Sequence, residues 1–247
     1  MVTADTIKKL STVLKRVSDE QGANAAVALL LKPKRGDFEV LLVQRVENPS
    51  DPWSGQMALP GGKRESKDTS LKDTVMRETL EETGIALGQC RFLGALNAVR
   101  SEPKPDFKIL PFVVLLEDEP KLKLNKNELE TFIWVPYEEI VQSKGTVEFS
   151  FGKVPAYILA DAIVWGVTYK ILSEFVQAVE MLHKKRKRKL FFRRITQVYP
   201  SGHTAQHVIN FCETFFFQDT RAYAGSISHR TNNRNRFISW QRSSRAH

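Results

Sequence analysis

Residues 77–85 read RETLEETGI, and no other stretch restricts the structures open to this chain as strongly. At about 100° per residue, Glu78, Glu81 and Glu82 fall within an arc of roughly 100° on one helix face. Leu71, Val75, Met76, Thr79 and Leu80 sweep the complementary side, which can bury against a core. Asp68, Thr69 and Ser70 are N-cap candidates, and Gly84 supplies the positive φ that commonly ends a helix. Like charges at these spacings cost about 0.2–0.5 kcal/mol per pair. Arg77 reaches Glu81 at i+4, yet one guanidinium does not balance three carboxylates. The pattern therefore asks for a divalent cation, and hard oxygen ligands favour Mg²⁺ or Mn²⁺. Taken by itself, the run also fits a solvated acidic face.

The segment just upstream, ALPGGKRESKD, decides between these readings. Pro60, Gly61 and Gly62 form a bend whose backbone can approach a polyphosphate closely, with Lys63 beside it as a cation. Gly61, Gly62 and Lys63 are thus candidate substrate-binding residues.

A double glycine followed by R-E-x-x-E-E-x-G resembles the Nudix box, G-x5-E-x7-R-E-U-x-E-E-x-G-U, where U is a bulky aliphatic residue. Arg77, Glu78, Glu81, Glu82, Gly84 and Ile85 match its second half position by position. Five residues separate Gly62 from Asp68, eight residues rather than seven then precede Arg77, and Thr79 occupies an aliphatic position. The extra residue falls in the loop and first turn, ahead of the acidic helix. The resemblance implies an α/β/α sandwich on a mixed β-sheet and hydrolysis of a nucleoside diphosphate linked to another moiety, with divalent cations. It implies Glu78 and Glu82 as direct metal ligands and Glu81 as a further one. Arg77 becomes an orienting partner. Glu128, in LNKNELETFIWVP, is a candidate general base from a later loop, so Glu81, Arg77 and Glu128 form the catalytic set.

Further likeness extends over residues 24–176. Leu41, Leu42, Arg45, Gly55, Pro60, Gly61 and Gly62 resemble the signature that precedes the box in coenzyme A pyrophosphatases, and VPAY with VWGVTYKIL resembles the final helix of that subgroup. Asp51 stands where the signature has arginine, and Leu59 replaces its phenylalanine. Coenzyme A or its derivatives lead as substrates, with ADP-ribose, nucleoside diphosphate sugars and other dinucleotides open. Arg45, a further candidate for substrate binding, is placed either on phosphate or against Glu47 or solvent. Trp53 either stacks on a base or folds onto the core.

The remaining chain accommodates such an enzyme. At 247 residues and 42% hydrophobic content, a sizeable core can form. No apolar run reaches the ~20 residues needed to span a bilayer. Cys90 and Cys212 are too few for a disulfide framework, and a cytoplasmic setting fits. Periodicity predicts an N-terminal amphipathic helix over residues 1–20, carrying Ile7, Leu10, Leu14 and Val17. AAVALLLKP and FEVLLVQRV read as a hairpin, and RFLGALNAV, FKILPFVVLLE and TFIWVP as further strands. Residues 155–182 read as one long apolar helix beginning at Pro155, with Trp165 and Tyr169 in the core. The enzymatic domain is assigned to residues 1–182, with its core at 24–182.

Charge divides the chain at the same point. From His183 onward there are fourteen Lys and Arg against two acids, so the formal net charge of +9 belongs to the end of the chain. All five histidines lie there, and no lysine follows Lys189. Residues 183–247 are read as a basic extension of low order. One use is a nuclear address or an RNA-binding arm with interleaved aromatics; the alternatives are a solvated extension or the product of an altered reading frame. A binding-only protein would leave the acidic helix idle, and a metal titration separates the classes.

Overall fold

The computed structural model describes residues 7, 9–34, 37–51, 53–101 and 106–198, with side chains to residue 184. Two units divide the chain, residues 1–186 and 187–247, and the first holds both sheets and the candidate site.

Strands β1 (Ala25–Lys34) and β2 (Asp37–Arg45) pair antiparallel from Leu31↔Val40 to Lys34↔Asp37, as the hairpin reading expects. The run AAVALLL suits β1 because that strand is buried on both faces. Halfway along, β1 changes partner. Its first residues pair with β4 (Gly61–Lys63), while β3 (Met57–Ala58) pairs with β2. The opposite edge of β1 runs parallel to β7 (Lys108–Leu115), followed by antiparallel β5 (Arg91–Ala95) and β6 (Val99–Arg100). Strand β8 (Leu129–Pro136) pairs antiparallel with β2 and completes an eight-stranded mixed sheet.

Helix α1 (Leu71–Thr83) covers one face of this sheet. Leu71 and Val75 join Ala26, Ala28, Leu30 and Phe112 in one core cluster. The other face is covered by α3 (Gly166–Val198), whose Ile171, Phe175 and Val179 pack with Leu29, Leu31 and Phe38. The expected α/β/α sandwich is present. Short helix α2 (Tyr137–Gln142) follows β8 and leads into a small antiparallel sheet of β9 (Lys144–Phe149), β10 (Gly152–Ile158) and β11 (Ile163–Trp165).

Three sequence expectations need correction. The N-terminal helix does not run to residue 20: after a short 3-10 turn at Leu10–Thr12, the Lys15 backbone pairs with Ala95 at 2.9 and 3.0 Å. Pairing with an open strand edge outweighs the local helical period there. Residues 155–165 are not helical either; they form β10 and β11, and the helix starts at Gly166. Pro155 is tolerated because β11 pairs only with Ala156, Tyr157 and Ile158. Trp165 accordingly lies on a strand, half-buried against Phe149 and Phe151, whereas Tyr169 packs on Tyr157. On α1, Leu80 leaves the apolar face and is 49% exposed.

Helix α3 runs through the basic stretch to Val198 rather than stopping near Leu182. Lys and Arg are good helix formers, and no Gly or Pro interrupts residues 183–198. The basic run 183–194, on which the nuclear-address and RNA-binding readings rest, thus lies on this helix, whereas residues 199–247, with Cys212, lie outside the described residues. Among the described residues, no helix is long and apolar enough to cross a membrane.

Candidate active site

Local sequence fixes the acidic helix at both ends. Ser70 is the N-cap and forms a reciprocal capping box with Asp73, an arrangement worth about 1 kcal/mol. Gly84 closes the helix at φ 75°, its N–H donating to the Leu80 carbonyl at 2.9 Å. Between these caps, the three glutamates separate into two environments.

Glu82 is buried, with 3% of its surface exposed, and accepts a hydrogen bond from the Gly61 N–H at 2.8 Å. Glu78 presses against Gly62: a Cβ on that glycine would lie 2.6 Å from the carboxylate carbon. Gly61 is constrained by backbone instead. Its φ of 141° suits glycine, and a Cβ would come within 2.2 Å of the Ala26 carbonyl oxygen. The double glycine therefore lets strand β4 lie between β1 and the acidic helix.

Arg77 gathers the surrounding acids. Its Nε and Nη2 donate to the two oxygens of Asp68 at 3.1 and 2.9 Å, and Nη1 donates to Glu78 at 2.9 Å and Glu81 at 3.0 Å. Nη2 also reaches the Lys63 carbonyl at 3.2 Å, tying the glycine bend to the helix. Glu81 is thereby drawn to the solvent side, with its side chain half exposed. Hydrogen bonds from Arg77 hold the Asp68 carboxyl well below the usual carboxylate range. Burial instead raises Glu78, against the pull of Arg77. Burial pushes Glu82 up to about 8; the Gly61 N–H opposes the rise and the Glu78 charge adds to it.

Glu128 reaches this neighbourhood through its loop. The Asn125 N–H donates to the Glu82 carbonyl at 2.8 Å, and the Asn125 side chain donates to the Glu128 carboxylate at 2.9 Å. The Glu128 charge contributes to raising both Glu78 and Glu82. Among the described residues, no group of three or more His, Cys, Asp or Glu is gathered as a ready metal cage. The donor set is instead a converging pair of carboxylates, which suits Mg²⁺, an ion that commonly takes one or two carboxylates and completes its shell with water and phosphate oxygens.

Beside the glycine bend lies a cleft of about 410 Å³. Gly61, Gly62, Lys63 and Arg45 all line it, which brings the four sequence-derived substrate residues together. Trp53 and Phe107 form a wall, ring centroids 6.0 Å apart and tilted by 34°. Met57, Leu59 and Ile171 make its interior apolar. Arg45 does not pair with Glu47; its Nε and Nη2 both donate to Asp51, at 3.0 and 2.7 Å. Sequence reasoning missed Phe107, for which no local pattern speaks. It also missed Asp68 as the partner of Arg77, although an acid separated from Gly62 by five residues was the available signal.

A fold with a capped acidic helix laid across a glycine bend defines a class, and comparison with known proteins agrees. The NUDIX domain matches residues 22–156, more than half of the chain, and the chain belongs to that family. It is a Nudix-type hydrolase, an enzyme class acting on phosphoanhydride bonds. An uncharacterized Schizosaccharomyces pombe protein is 41% identical over 108 residues, covering 41% of this chain and 33% of its own length. The chain thus spans a third of that relative. The human mitochondrial coenzyme A diphosphatase NUDT8 is 28% identical over 160 residues, 62% of this chain and 67% of that one. Among solved structures, a MutT/nudix family protein from Enterococcus faecalis aligns at 18% identity and TM-score 0.43, covering 73% of this chain and 76% of its own.

Proposed function

We propose that the protein hydrolyses the diphosphate bond of a nucleoside diphosphate derivative, with coenzyme A-type compounds as the leading substrates. One observation carries this reading: Glu78 and Glu82, one helical turn apart, converge on the Gly61–Gly62 bend that lines the cleft. In the proposal these two carboxylates hold Mg²⁺ or Mn²⁺, with Glu81 as a further ligand. The bound cation supplies charge neutralisation on the diphosphate and lowers the pKa of a water molecule. Lys63 and the glycine bend receive the diphosphate at the mouth of the cleft, next to the acidic helix. Arg77 orients Glu78 and Glu81 through its hydrogen bonds, and Glu128 is positioned by Asn125 to accept a proton from water.

The coenzyme A preference is supported by the signature likeness around residues 41–62 and by the diphosphatase relative. ADP-ribose, nucleoside diphosphate sugars and other dinucleotides form the competing set. The test is a panel of these compounds with Mg²⁺ or Mn²⁺, products identified by mass spectrometry, for wild type and Glu82→Gln. Turnover should fall at least about a hundredfold in the variant. Equal turnover in both proteins would remove the metal role of Glu82. Intact coenzyme A and dephospho-coenzyme A beside a cleaved competitor would reassign the substrate.

A further inference from the structure

The Arg45–Asp51 pair extends the functional reading to the kind of substrate the cleft selects. Among the described residues that line the cleft, two are cationic, Arg45 and Lys63, and none is anionic. Lys63 belongs to the glycine bend, at the diphosphate end. Arg45 is already engaged: two of its nitrogens bond one oxygen of Asp51, whose side chain is 17% exposed. The other Asp51 oxygen accepts the Trp53 N–H at 3.0 Å. One carboxylate therefore holds both the cation and, through the Trp53 main-chain N–H, the backbone that carries the Trp53 ring. What charge Arg45 projects beyond Asp51 also acts on Glu82, whose carboxyl it pulls downward.

An extra phosphate monoester on the substrate would meet a guanidinium already hydrogen-bonded through two nitrogens to Asp51, with that carboxylate's negative charge beside it. We infer that Asp51 is a specificity-determining positioning residue. By occupying Arg45 and anchoring Trp53, it selects substrates whose diphosphate is their only phosphate group and whose attached moiety is apolar or planar. Dephospho-coenzyme A, rather than coenzyme A with its 3′-phosphate, represents that class. The inference rests on the hydrolase reading for its consequence in turnover, but the selection itself is a property of binding.

Asp51→Asn removes the negative charge while its amide oxygen still accepts the Trp53 N–H, so the wall is retained as Arg45 is released. The full-length wild type, Asp51→Asn and the double variant Asp51→Asn/Arg45→Gln are compared on dephospho-coenzyme A and coenzyme A. Turnover gives kcat and KM, and calorimetry gives Kd for the same compounds. Wild type should favour the compound without the 3′-phosphate, and Asp51→Asn should move the ratio about tenfold toward coenzyme A, the size expected for one charge contact. The shift should lie in KM and Kd, not in kcat, and should vanish in the double variant. A purely structural role for Asp51 would instead lower kcat on both compounds without changing their ratio.

An unchanged ratio in Asp51→Asn, or a shift that survives loss of Arg45, overturns the inference and leaves the hydrolase reading standing. Selective binding without cleavage in wild type has the opposite meaning: it overturns the hydrolase reading and keeps the role of Asp51. Failure of both compounds to bind overturns the selection outright.

Discussion

Arg77 and Asp68 meet through two hydrogen bonds of 3.1 and 2.9 Å, with only 13% and 4% of their side-chain surfaces exposed. The fork joins the loop after the glycine bend to the acidic helix, and the same guanidinium then holds Glu78 and Glu81. Asp68→Asn leaves the cation with half of its fork. Removal of one partner from such a buried pair costs about 3 kcal/mol, or roughly 6–12 °C in melting temperature for a unit of this size. The depressed Asp68 pKa contributes stability above the usual Asp range near 3.8, which is lost as pH falls toward its folded value. Acid titration of unfolding should therefore show a shallower loss in the variant. Equal acid sensitivity in the two proteins would show that the pair contributes little.

Glu82 gives the opposite sign. Its pKa rises from the ordinary 4.5 to about 8 through burial, so between those values the folded protein holds a proton that the unfolded chain has released. Stability of metal-free protein should therefore decrease as pH rises across this window, by on the order of a few kcal/mol in total. Glu82→Gln has no charge to bury and should melt higher than wild type near about pH 8 in chelator. Addition of Mg²⁺ or Mn²⁺ should stabilise wild type with little effect on the variant. Parallel pH profiles, measured by thermal melting, would refute the burial argument.

The contrast between α1 and α3 explains how much the sequence disclosed. Everything that defines α1 is local: Ser70 and Gly84 set its ends, and the Glu78/Glu82 spacing sets one face. The helix and its acids were legible for that reason. Residues 155–165 were misread because a short apolar run fits either period, and what makes them strands is pairing across hairpins, Pro155, Ala156 and Tyr157 with Thr146, Gly145 and Lys144. The strand Lys144–Phe149 was overlooked although Val147 and Phe149 alternate with polar neighbours. Lys15 leaves the helical path for a similar nonlocal reason, since Ala95 offers it both hydrogen bonds. In the site, the charged constellation could be read from spacing, whereas the wall of Trp53 and Phe107 joins residues far apart in the chain.

The two glycines of the bend should respond differently to alanine. At Gly61 the added Cβ meets backbone, 2.2 Å from the Ala26 oxygen and 2.6 Å from the Val27 Cα, in a strained φ region. Gly61→Ala should destabilise the fold by several kcal/mol, about 3 or more. At Gly62 the obstacle is the movable end of Glu78. Gly62→Ala should thus melt close to wild type yet lose turnover about a hundredfold, because Glu78 is pushed out of register with Glu82. Circular dichroism melts beside activity assays check the contrast; a folded, fully active Gly62→Ala would show that the position of Glu78 is unimportant.

Glu81 and Glu128 can be separated as proton acceptors by what holds each of them. Glu81 is bound by Arg77 on the solvent side of the helix, so its carboxylate already shares a cation. Glu128 is held by the neutral Asn125 amide, and its loop is anchored to the carbonyl of Glu82. A carboxylate hydrogen-bonded into place by a neutral amide, rather than by a guanidinium, is the better-placed acceptor from water. Glu128→Gln should lower kcat about 10²–10⁴-fold with little change in KM, the range for loss of a general base. Asn125→Ala leaves the carboxylate but frees it, and should lower kcat by a smaller factor without altering metal-induced stabilisation. Glu81→Gln, by contrast, should weaken the metal response measured by melting. If Glu81→Gln abolishes kcat while Glu128→Gln retains it, the base belongs on the helix and the loop only closes the site.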